Sequence, residues 1–294
     1  MRIFIFSEVL KEENVSLVRD FISDLIKHKI ELVIYNVFKK ELERNLISLP
    51  ENVVYVSDKQ EFSKSEIDYV ITLGGDGTIL KAIKIIEDQN VPIIGVNMGR
   101  LGFLSSVEKH KMPNIIPAIL NGNVLCQNRS LIRLNSNIPI FENAPYALND
   151  FTLHKRDTSS MVTIHVYIDD KFLNSYWADG IIVSTPTGST GYSLSCGGPI
   201  VFPESGNFVI TPIAPHNLNV RPLVISDSSK LRLHIEGRSE NYLCTLDSKY
   251  ETVTSEHEIT LTRNNFDIVL ATLEDIDFMK TIRNKLMWGL DKRN

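Results

Sequence analysis

The chain has 294 residues, 43% of them hydrophobic and 23% charged, and carries a formal net charge of −5 at pH 7. These proportions are near the average for globular proteins and exclude a disordered, collagen-like or low-complexity chain. A mildly acidic balance disfavours general binding to nucleic acids or anionic membranes, because phosphate contacts need clustered cations. At about 150 residues per domain, the length predicts two domains.

Cysteine usage and hydropathy predict the compartment. Cys126, Cys196 and Cys244 lie far apart and form no CxxC pair, so neither a zinc site nor a disulfide framework is indicated. No segment reaches the roughly 20 apolar residues of a membrane span, and the N-terminus lacks the long apolar core of a signal peptide. We therefore expect a cytoplasmic protein with no membrane or nucleic-acid partner.

Strands and helices alternate over the first third of the chain. The apolar spacing predicts strands over 2–7, 31–36, 53–56, 68–73 and 91–96, and helices over 15–27, 39–46 and 79–87. Such alternation implies crossover connections and a mostly parallel sheet with helices on its faces. Residues 1–122 are therefore predicted to form an α/β domain.

The pattern changes to short β segments after about residue 122. These segments are 129–134, 147–155, 162–168, 180–184, 231–235, 242–246, 258–262 and 266–270. Short strands punctuated by turn residues indicate a β-rich unit, to which we assign residues 123–273. A helical pattern returns over 278–288, and the chain from about 274 to 294 is expected to pack back on the first domain.

The segment 74–78, with the sequence GGDGT, follows a predicted strand and opens a helix. Glycines let a backbone approach phosphate oxygens, and a helix N-terminus favours anions. A carboxylate in such a loop is unusual. Asp76 is a candidate to hold a divalent cation, to take a proton from a hydroxyl, or simply to cap the helix. The segment matches neither a P-loop nor the GxGxxG fingerprint.

Two more segments follow predicted strands. Residues 97–104 read NMGRLGFL and are expected beside Asp76, because neighbouring parallel strands end at the same edge of a sheet. Residues 184–198 are dense in hydroxyls and glycines. That composition suits phosphate or ribose hydroxyls, and exposed linkers share it.

These motifs, together with the Asn149-Asp150 pair and the run DGIIVSTPTGSTGYSLSCGGPIV at 179–201, resemble the bacterial NAD kinases in order and spacing. The resemblance extends through 215–223 and covers nearly the whole chain. It implies the NAD kinase-like two-domain fold, with the β-rich domain binding NAD and the active site between the domains. It also implies a phosphotransferase with an alcohol acceptor, which moves the γ-phosphoryl group of ATP to the 2′-hydroxyl of the adenosine ribose of NAD.

The resemblance assigns roles to individual residues. Asp76 matches the proposed general base, which takes the proton as the new P–O bond forms. The residues expected to bind NAD or its phosphates are Asp76, Gly77, Lys81, Asn149, Asp150, Ser160, Trp177, Asp179, Thr190, Gly191, Tyr192, Ser193, Leu194 and Ser195. Asp150 stands where many relatives have Glu, and Gly191 and Cys196 stand where Ala is common.

The resemblance also implies cofactors and partners. NAD and ATP are the expected substrates, with a divalent cation, Mg²⁺, carried mainly by ATP rather than by protein side chains. The family implies a homodimer or homotetramer. Use of NADH, and of polyphosphate in place of ATP, stays open.

Other protein classes share parts of the pattern. GGDGT occurs in diacylglycerol and sphingosine kinases and, in a close variant, in phosphofructokinases. A catalytically silent NAD(H)-binding regulator is expected to have lost the aspartate, whereas Asp76 is present. The combination of GGDGT with the long Thr/Ser/Gly motif favours NAD kinase.

Overall fold

The secondary structure comes from a computed structural model that describes residues 1–156 and 161–288. Its strands are β1 (Arg2–Phe6), β2 (Glu31–Tyr35), β3 (Val54–Val56), β4 (Tyr69–Gly74), β5 (Ile93–Asn97), β6 (Val107–Glu108), β7 (Val124–Arg129), β8 (Ile132–Ser136), β9 (Tyr146–Ala147), β10 (Asp150–Lys155), β11 (Val162–Ile168), β12 (Lys171–Ala178), β13 (Gly180–Ser184), β14 (Asn207–Ile213), β15 (Leu223–Ser226), β16 (Leu231–Glu236), β17 (Tyr242–Leu246), β18 (Lys249–Val253), β19 (Ile259–Arg263) and β20 (Ile268–Leu273). Its α-helices are α1 (Val15–Lys27), α2 (Asn36–Arg44), α3 (Lys59–Ser63), α4 (Asp76–Ile86), α5 (Ile115–Asn121), α6 (Tyr192–Ser195) and α7 (Phe278–Leu286). Short 3-10 helices cover Glu12–Asn14, Lys109–Asn114 and Thr187–Thr190.

The first unit comprises residues 1–128 and the chain from 268 onward. Its sheet has the strand order β3-β2-β1-β4-β5-β20-β7, and β6 pairs with the end of β5. The pairs from β3 to β20 are parallel. All five residues of β5 are buried, as in parallel sheets whose two faces are both covered. The predicted α/β fold with a mostly parallel sheet is confirmed.

The second unit, residues 129–267, is a sandwich of two antiparallel sheets. Their strand orders are β15-β14-β13-β10-β17-β18 and β12-β11-β16-β19-β8-β9. One apolar cluster joins Ile164 and Val166 of β11 to Ile181 and Val183 of β13, so side chains of both sheets form one core. The predicted β-rich C-terminal part is confirmed.

Two strands differ in placement from the sequence-based expectation. β7 and β20 pair in the first sheet, whereas the predicted β-rich domain over 123–273 includes their residues. β20 is almost wholly buried, as is typical of a strand inside a parallel sheet. The difference arises because a local apolar pattern indicates a strand but not the sheet that it joins. The segment predicted as one strand over 129–134 is divided, since β7 ends at Arg129 and β8 begins at Ile132.

The last described helix, α7, belongs to the first unit. Its Lys285 Nζ lies 4.9 Å from the ring centre of Phe103, and Lys111 forms an ion pair with Asp275 just before the helix. The end of the segment predicted as a C-terminal helix, 289–294, lies outside the described residues.

Phe4 provides a test of the first unit's core. Its side chain is fully buried, with ring centres of Phe6 at 6.2 Å and Phe62 at 5.3 Å. We expect Phe4→Ala to lower the free energy of unfolding by about 3–5 kcal/mol, because the lost burial is compounded by a cavity. Urea unfolding followed by circular dichroism measures this. Leu46→Ala is the control, since Leu46 is 85% exposed and should change stability by less than about 0.5 kcal/mol.

Candidate active site

Asp76 is the first residue of α4, directly beyond the strand β4 and the N-cap residue Gly75. Its Oδ1 accepts hydrogen bonds from the backbone N–H of Leu104 (3.2 Å) and Ser105 (2.9 Å) and from the Ser105 hydroxyl (2.8 Å). Its Oδ2 accepts one, from the N–H of Phe103 at 3.0 Å. The carboxylate therefore holds the loop after β5 rather than capping its own helix.

This contact confirms that segments 74–78 and 97–104 lie together. β4 and β5 are parallel neighbours, with Gly74 opposite Asn97, so both loops leave the same edge of the sheet. The approach is close enough to exclude a side chain at Gly102, where a Cβ would lie 1.8 Å from Asp76 Oδ1. Gly102 thus allows the loop to reach the carboxylate.

A cleft of about 270 Å³ opens at this sheet edge beside the start of α4. Its lining includes Gly74, Gly75, Thr78, Asn97 and Arg100. Backbone groups of a glycine loop, a helix N-terminus and a guanidinium are suited to an anionic ligand.

The other two predicted residues of the first unit lie along α4. Gly77 is exposed and a Cβ there would meet no atom within 4 Å, so space is open for a ligand. Lys81 is exposed one turn later and forms an ion pair with Glu8, a residue of the cleft lining. The lysine therefore lies near the cleft but has an acidic partner.

Asn149 and Asp150 stand at the start of β10 in the second unit, against the loop after β13. The Thr185 N–H donates to the Asn149 carbonyl at 2.9 Å, and the Thr185 hydroxyl donates to the Leu148 carbonyl at 2.5 Å. A Cβ at Gly188 would lie 1.9 Å from the Asn149 carbonyl oxygen. The predicted pair and the hydroxyl-rich loop are thus packed backbone to backbone.

Asp150 has an unusual electrostatic environment. Its side chain is buried, and this burial, together with the nearby carboxylate of Asp247, raises its pKa to about 7. The hydroxyl of Thr152 donates a hydrogen bond to Asp150 Oδ1 at 3.5 Å, which lowers the pKa and so opposes the shift. Carboxyl groups with pKa values shifted this far are typical of functional sites.

Two residues of the long Thr/Ser/Gly motif, Gly191 and Tyr192, lie near this carboxyl. A Cβ at Gly191 would lie 3.8 Å from Asp150 Oδ2. Burial raises the pKa of Tyr192, with Cys196 and, less strongly, Asp150 and Asp179 adding to the shift. Thr190 and Leu194 are half-buried, and Ser195 is exposed. Ser193 is buried, and its hydroxyl forms a hydrogen bond with the hydroxyl of Thr211 at 2.8 Å. This side chain therefore anchors the loop to β14.

Two further predicted residues of the second unit, Trp177 and Asp179, lie near the junction of β12 and β13. Asp179 forms an ion pair with Lys155 at 2.6 Å. Trp177 is 45% exposed and its ring centre lies 4.2 Å from that of His216. Ser160 lies outside the described residues. A tryptophan side chain with this exposure is a suitable contact for a planar group.

Family comparisons cover both units. Residues 3–124 match the ATP-NAD kinase N-terminal domain, and residues 148–270 match the ATP-NAD kinase C-terminal domain. The sequence is 45% identical to an NAD kinase of Cytophaga hutchinsonii over 97% of both chains, and 41% identical to an NAD kinase of Flavobacterium psychrophilum over the full length of both. The chain belongs to the NAD kinase family.

Solved structures agree with the fold of this family. The structure is similar to yeast NADH kinase complexed with NADH, with a TM-score of 0.87 and 24% identity, covering 99% of this chain and 88% of that one. It is also similar to an NAD kinase from Archaeoglobus fulgidus in complex with ATP, with a TM-score of 0.72 and 24% identity over 98% of both chains. The predicted NAD kinase-like two-domain fold is confirmed.

Three further observations concern metal-binding groups, helices and thiols. Within residues 1–156 and 161–288, no group of three or more His, Cys, Asp or Glu side chains is arranged to hold a metal ion. Each helix in that part of the chain is too short or too polar to span a bilayer. Cys126, Cys196 and Cys244 are free thiols.

Several residues outside the predicted set shape these sites. Gly102 and Gly188 lie inside quoted motifs, yet their role is steric and needs the folded neighbours to be seen. Ser105 follows directly after NMGRLGFL and adds a hydroxyl donor to Asp76. Asp247 belongs to none of the quoted motifs, and only the pairing of β10 with β17 brings it beside Asp150.

The raised pKa of Asp150 gives a stability test. Because the folded state keeps this proton to about pH 7 and the unfolded state releases it near pH 4, stability falls as pH rises through that window. We expect Asp150→Asn to remove this loss, raising the free energy of unfolding at pH 8 by up to about 4 kcal/mol and changing it little at pH 4.

Thermal unfolding at the two pH values measures the difference. Asp169→Asn, in the exposed β11–β12 turn, is the control and should give no comparable gain at pH 8. An equal effect of Asp150→Asn at both pH values would contradict this account of the buried carboxyl.

Proposed function

We propose that the protein phosphorylates the 2′-hydroxyl of the adenosine ribose of NAD with the γ-phosphoryl group of ATP, giving NADP and ADP. The observation that carries the proposal is the carboxylate of Asp76, held at the N-terminus of α4 beside an anion-suited cleft, in a chain that matches NAD kinases over its whole length.

The environment of Asp76 suits proton transfer. Its Oδ1 is filled by three donors, whereas Oδ2 has one, from Phe103, so Oδ2 keeps acceptor capacity for a substrate hydroxyl. In the proposed step the ribose 2′-oxygen forms a bond to the γ-phosphorus. The bond from that phosphorus to the oxygen of ADP breaks, and the 2′-hydroxyl proton passes to Asp76.

Phosphate groups fit the cleft beside α4. A Cβ at Gly75 would meet no atom within 4 Å, so the backbone there leaves space for phosphate oxygens, and the helix N-terminus favours their negative charge. Arg100 adds a permanent cation to the lining. We assign this cleft to the phosphates of ATP.

The second unit supplies groups for NAD. Asn149 and Asp150 offer amide and carboxyl groups to ribose hydroxyls and adenine, and Tyr192 and Trp177 offer aromatic faces. The exposed rings and the fixed backbone at 148–150 support this assignment.

A divalent cation is required in this proposal. Among the described residues, no group of three or more His, Cys, Asp or Glu side chains is arranged to hold a metal ion. This fits an ion such as Mg²⁺ that is held by the nucleotide phosphates, where it neutralises charge on the transferring group.

We infer that the enzyme is cytoplasmic and assembles as a homodimer or homotetramer. The free thiols support a reducing compartment. Size-exclusion chromatography with light scattering measures the assembly.

An NADP-forming assay tests the function. Purified protein, NAD, ATP and Mg²⁺ are mixed, and new NADP is detected with an NADP-specific glucose-6-phosphate dehydrogenase. We expect NADP to form with ATP and not without it. Parallel reactions with NADH or polyphosphate identify the acceptor and donor range, and a protein that binds NAD without making NADP would overturn the proposal in favour of a binding protein.

A further inference from the structure

Asp247 lies in the turn between β17 and β18, 97 residues along the chain from Asp150. Its carboxylate accepts hydrogen bonds from three successive backbone N–H groups, those of Leu148 (2.9 Å), Asn149 (2.8 Å) and Asp150 (3.2 Å). Its own N–H donates to the Asp150 carbonyl at 3.0 Å. One residue therefore binds four of the backbone groups of 148–150.

Thr185 binds the other two backbone groups. Its N–H and hydroxyl donate to the carbonyls of Asn149 and Leu148. All six polar backbone groups of 148–150 are thus satisfied by two residues, which fixes the backbone from which the Asn149 and Asp150 side chains project.

Burial makes a carboxylate costly at this position. The backbone conformation does not, since Asp247 has a φ of +51°, a left-handed value that hairpin turns commonly fill with Gly, Asn or Asp. Burial raises its pKa, and the three backbone donors oppose the shift. Burying this carboxylate costs free energy, and its hydrogen bonds to the backbone of 148–150 offset that cost.

We propose that Asp247 is a positioning residue for NAD binding, which fixes the direction of the Asn149–Asp150 pair without touching the substrate. The inference rests on the proposed function, because it assigns that pair to NAD. The titratable groups that face Asp150 in the described structure are Asp247 from the β17–β18 turn and Tyr192 from α6.

Asp247→Asn in the full-length enzyme tests the proposal. An asparagine oxygen can keep the two donors on Oδ1, while its NH₂ group cannot accept from Leu148. We expect KM for NAD to rise about tenfold, and kcat and KM for ATP to change by less than about twofold. Asp169→Asn is the matched control, an aspartate at another hairpin turn that accepts one backbone N–H, from Lys230.

Two further readouts separate positioning from general loss of structure. Removing the negative charge of Asp247 lowers the pKa of Asp150, so the acid limb of 1/KM for NAD should move to lower pH in Asp247→Asn. The double variant Asp150→Asn/Asp247→Asn should bind NAD no more weakly than the weaker single variant, because both act through one pair. The double variant also removes both buried charges, which keeps the test open where Asp247→Asn alone folds poorly.

The outcomes distinguish the two proposals. An active wild type with unchanged KM for NAD in Asp247→Asn overturns the positioning role alone. Equal losses in kcat, both KM values and melting temperature, with no shift of the acid limb and additive effects in the double variant, overturn it as well. A wild type that makes no NADP overturns the proposed function, and the positioning role with it.

Discussion

Asp76→Asn is expected to lower kcat for NADP formation by about 10²–10⁴-fold, the usual contribution of a general base. The asparagine oxygen can keep the three donors that now bind Oδ1. Its NH₂ group replaces Oδ2, the atom with free acceptor capacity. The substitution therefore removes the proton acceptor while most of the loop contacts remain. Steady-state kinetics with saturating NAD and ATP measure the loss.

Ser105→Ala is the matched control for Asp76→Asn. It removes one of the four hydrogen bonds to the carboxylate, the 2.8 Å bond from the Ser105 hydroxyl, and leaves the carboxylate itself. We expect kcat to fall by only about three- to tenfold, the net value of a typical single hydrogen bond, because the carboxylate keeps its other three donors. If Asp76→Asn loses no more activity than Ser105→Ala, Asp76 holds the loop and is not the base.

Gly188→Ala is expected to give the second large effect. The added Cβ would lie 1.9 Å from the carbonyl oxygen and 2.4 Å from the carbonyl carbon of Asn149, so the backbone must move. Overpacking of this kind costs about 1–3 kcal/mol, which corresponds to a rise in KM for NAD of about 5- to 150-fold if the shift reaches the Asn149–Asp150 pair. KM for NAD and urea unfolding on the same preparation measure the two consequences.

Gly191→Ala, three residues later in the same loop, is the comparison. Its Cβ would lie 3.2 Å from the Gly188 carbonyl oxygen, a tight contact that a shift of a few tenths of an ångström relieves. We expect KM for NAD to change by less than about threefold. Similar losses for both variants would show that the loop tolerates no added methyl group at all, and would remove the special role of Gly188.

The sequence predicted those parts of the site that depend on local pattern. Apolar strands that end in glycine-rich segments placed Asp76 at a strand-to-helix junction, and the rule that parallel strands share an edge placed 97–104 beside it. Both placements are confirmed, because one sheet edge brings Gly74 opposite Asn97.

The parts that depend on distant pairing were not predictable. Nothing around Asp247 distinguishes it from another aspartate in a hairpin turn, and its role arises from the register of β10 against β17. The same limit explains β20, whose apolar run is typical of a strand but does not say that it lies between β5 and β7. The hydrogen bonds from 103–105 to Asp76 likewise depend on Gly102, because a side chain at that position would collide with the carboxylate.

The position of β20 has a consequence for biosynthesis. The sandwich is a continuous stretch, 129–267, inserted into a unit whose sheet is completed by residues 268–273. During translation the inserted sandwich leaves the ribosome whole while the first sheet still lacks the strand that separates β5 from β7. We expect the later half of the sequence to fold before the earlier half, an inversion of the usual N-terminal-first order. A nascent chain that stops before residue 268 would then contain a folded sandwich and an incomplete first unit, the one that carries Asp76.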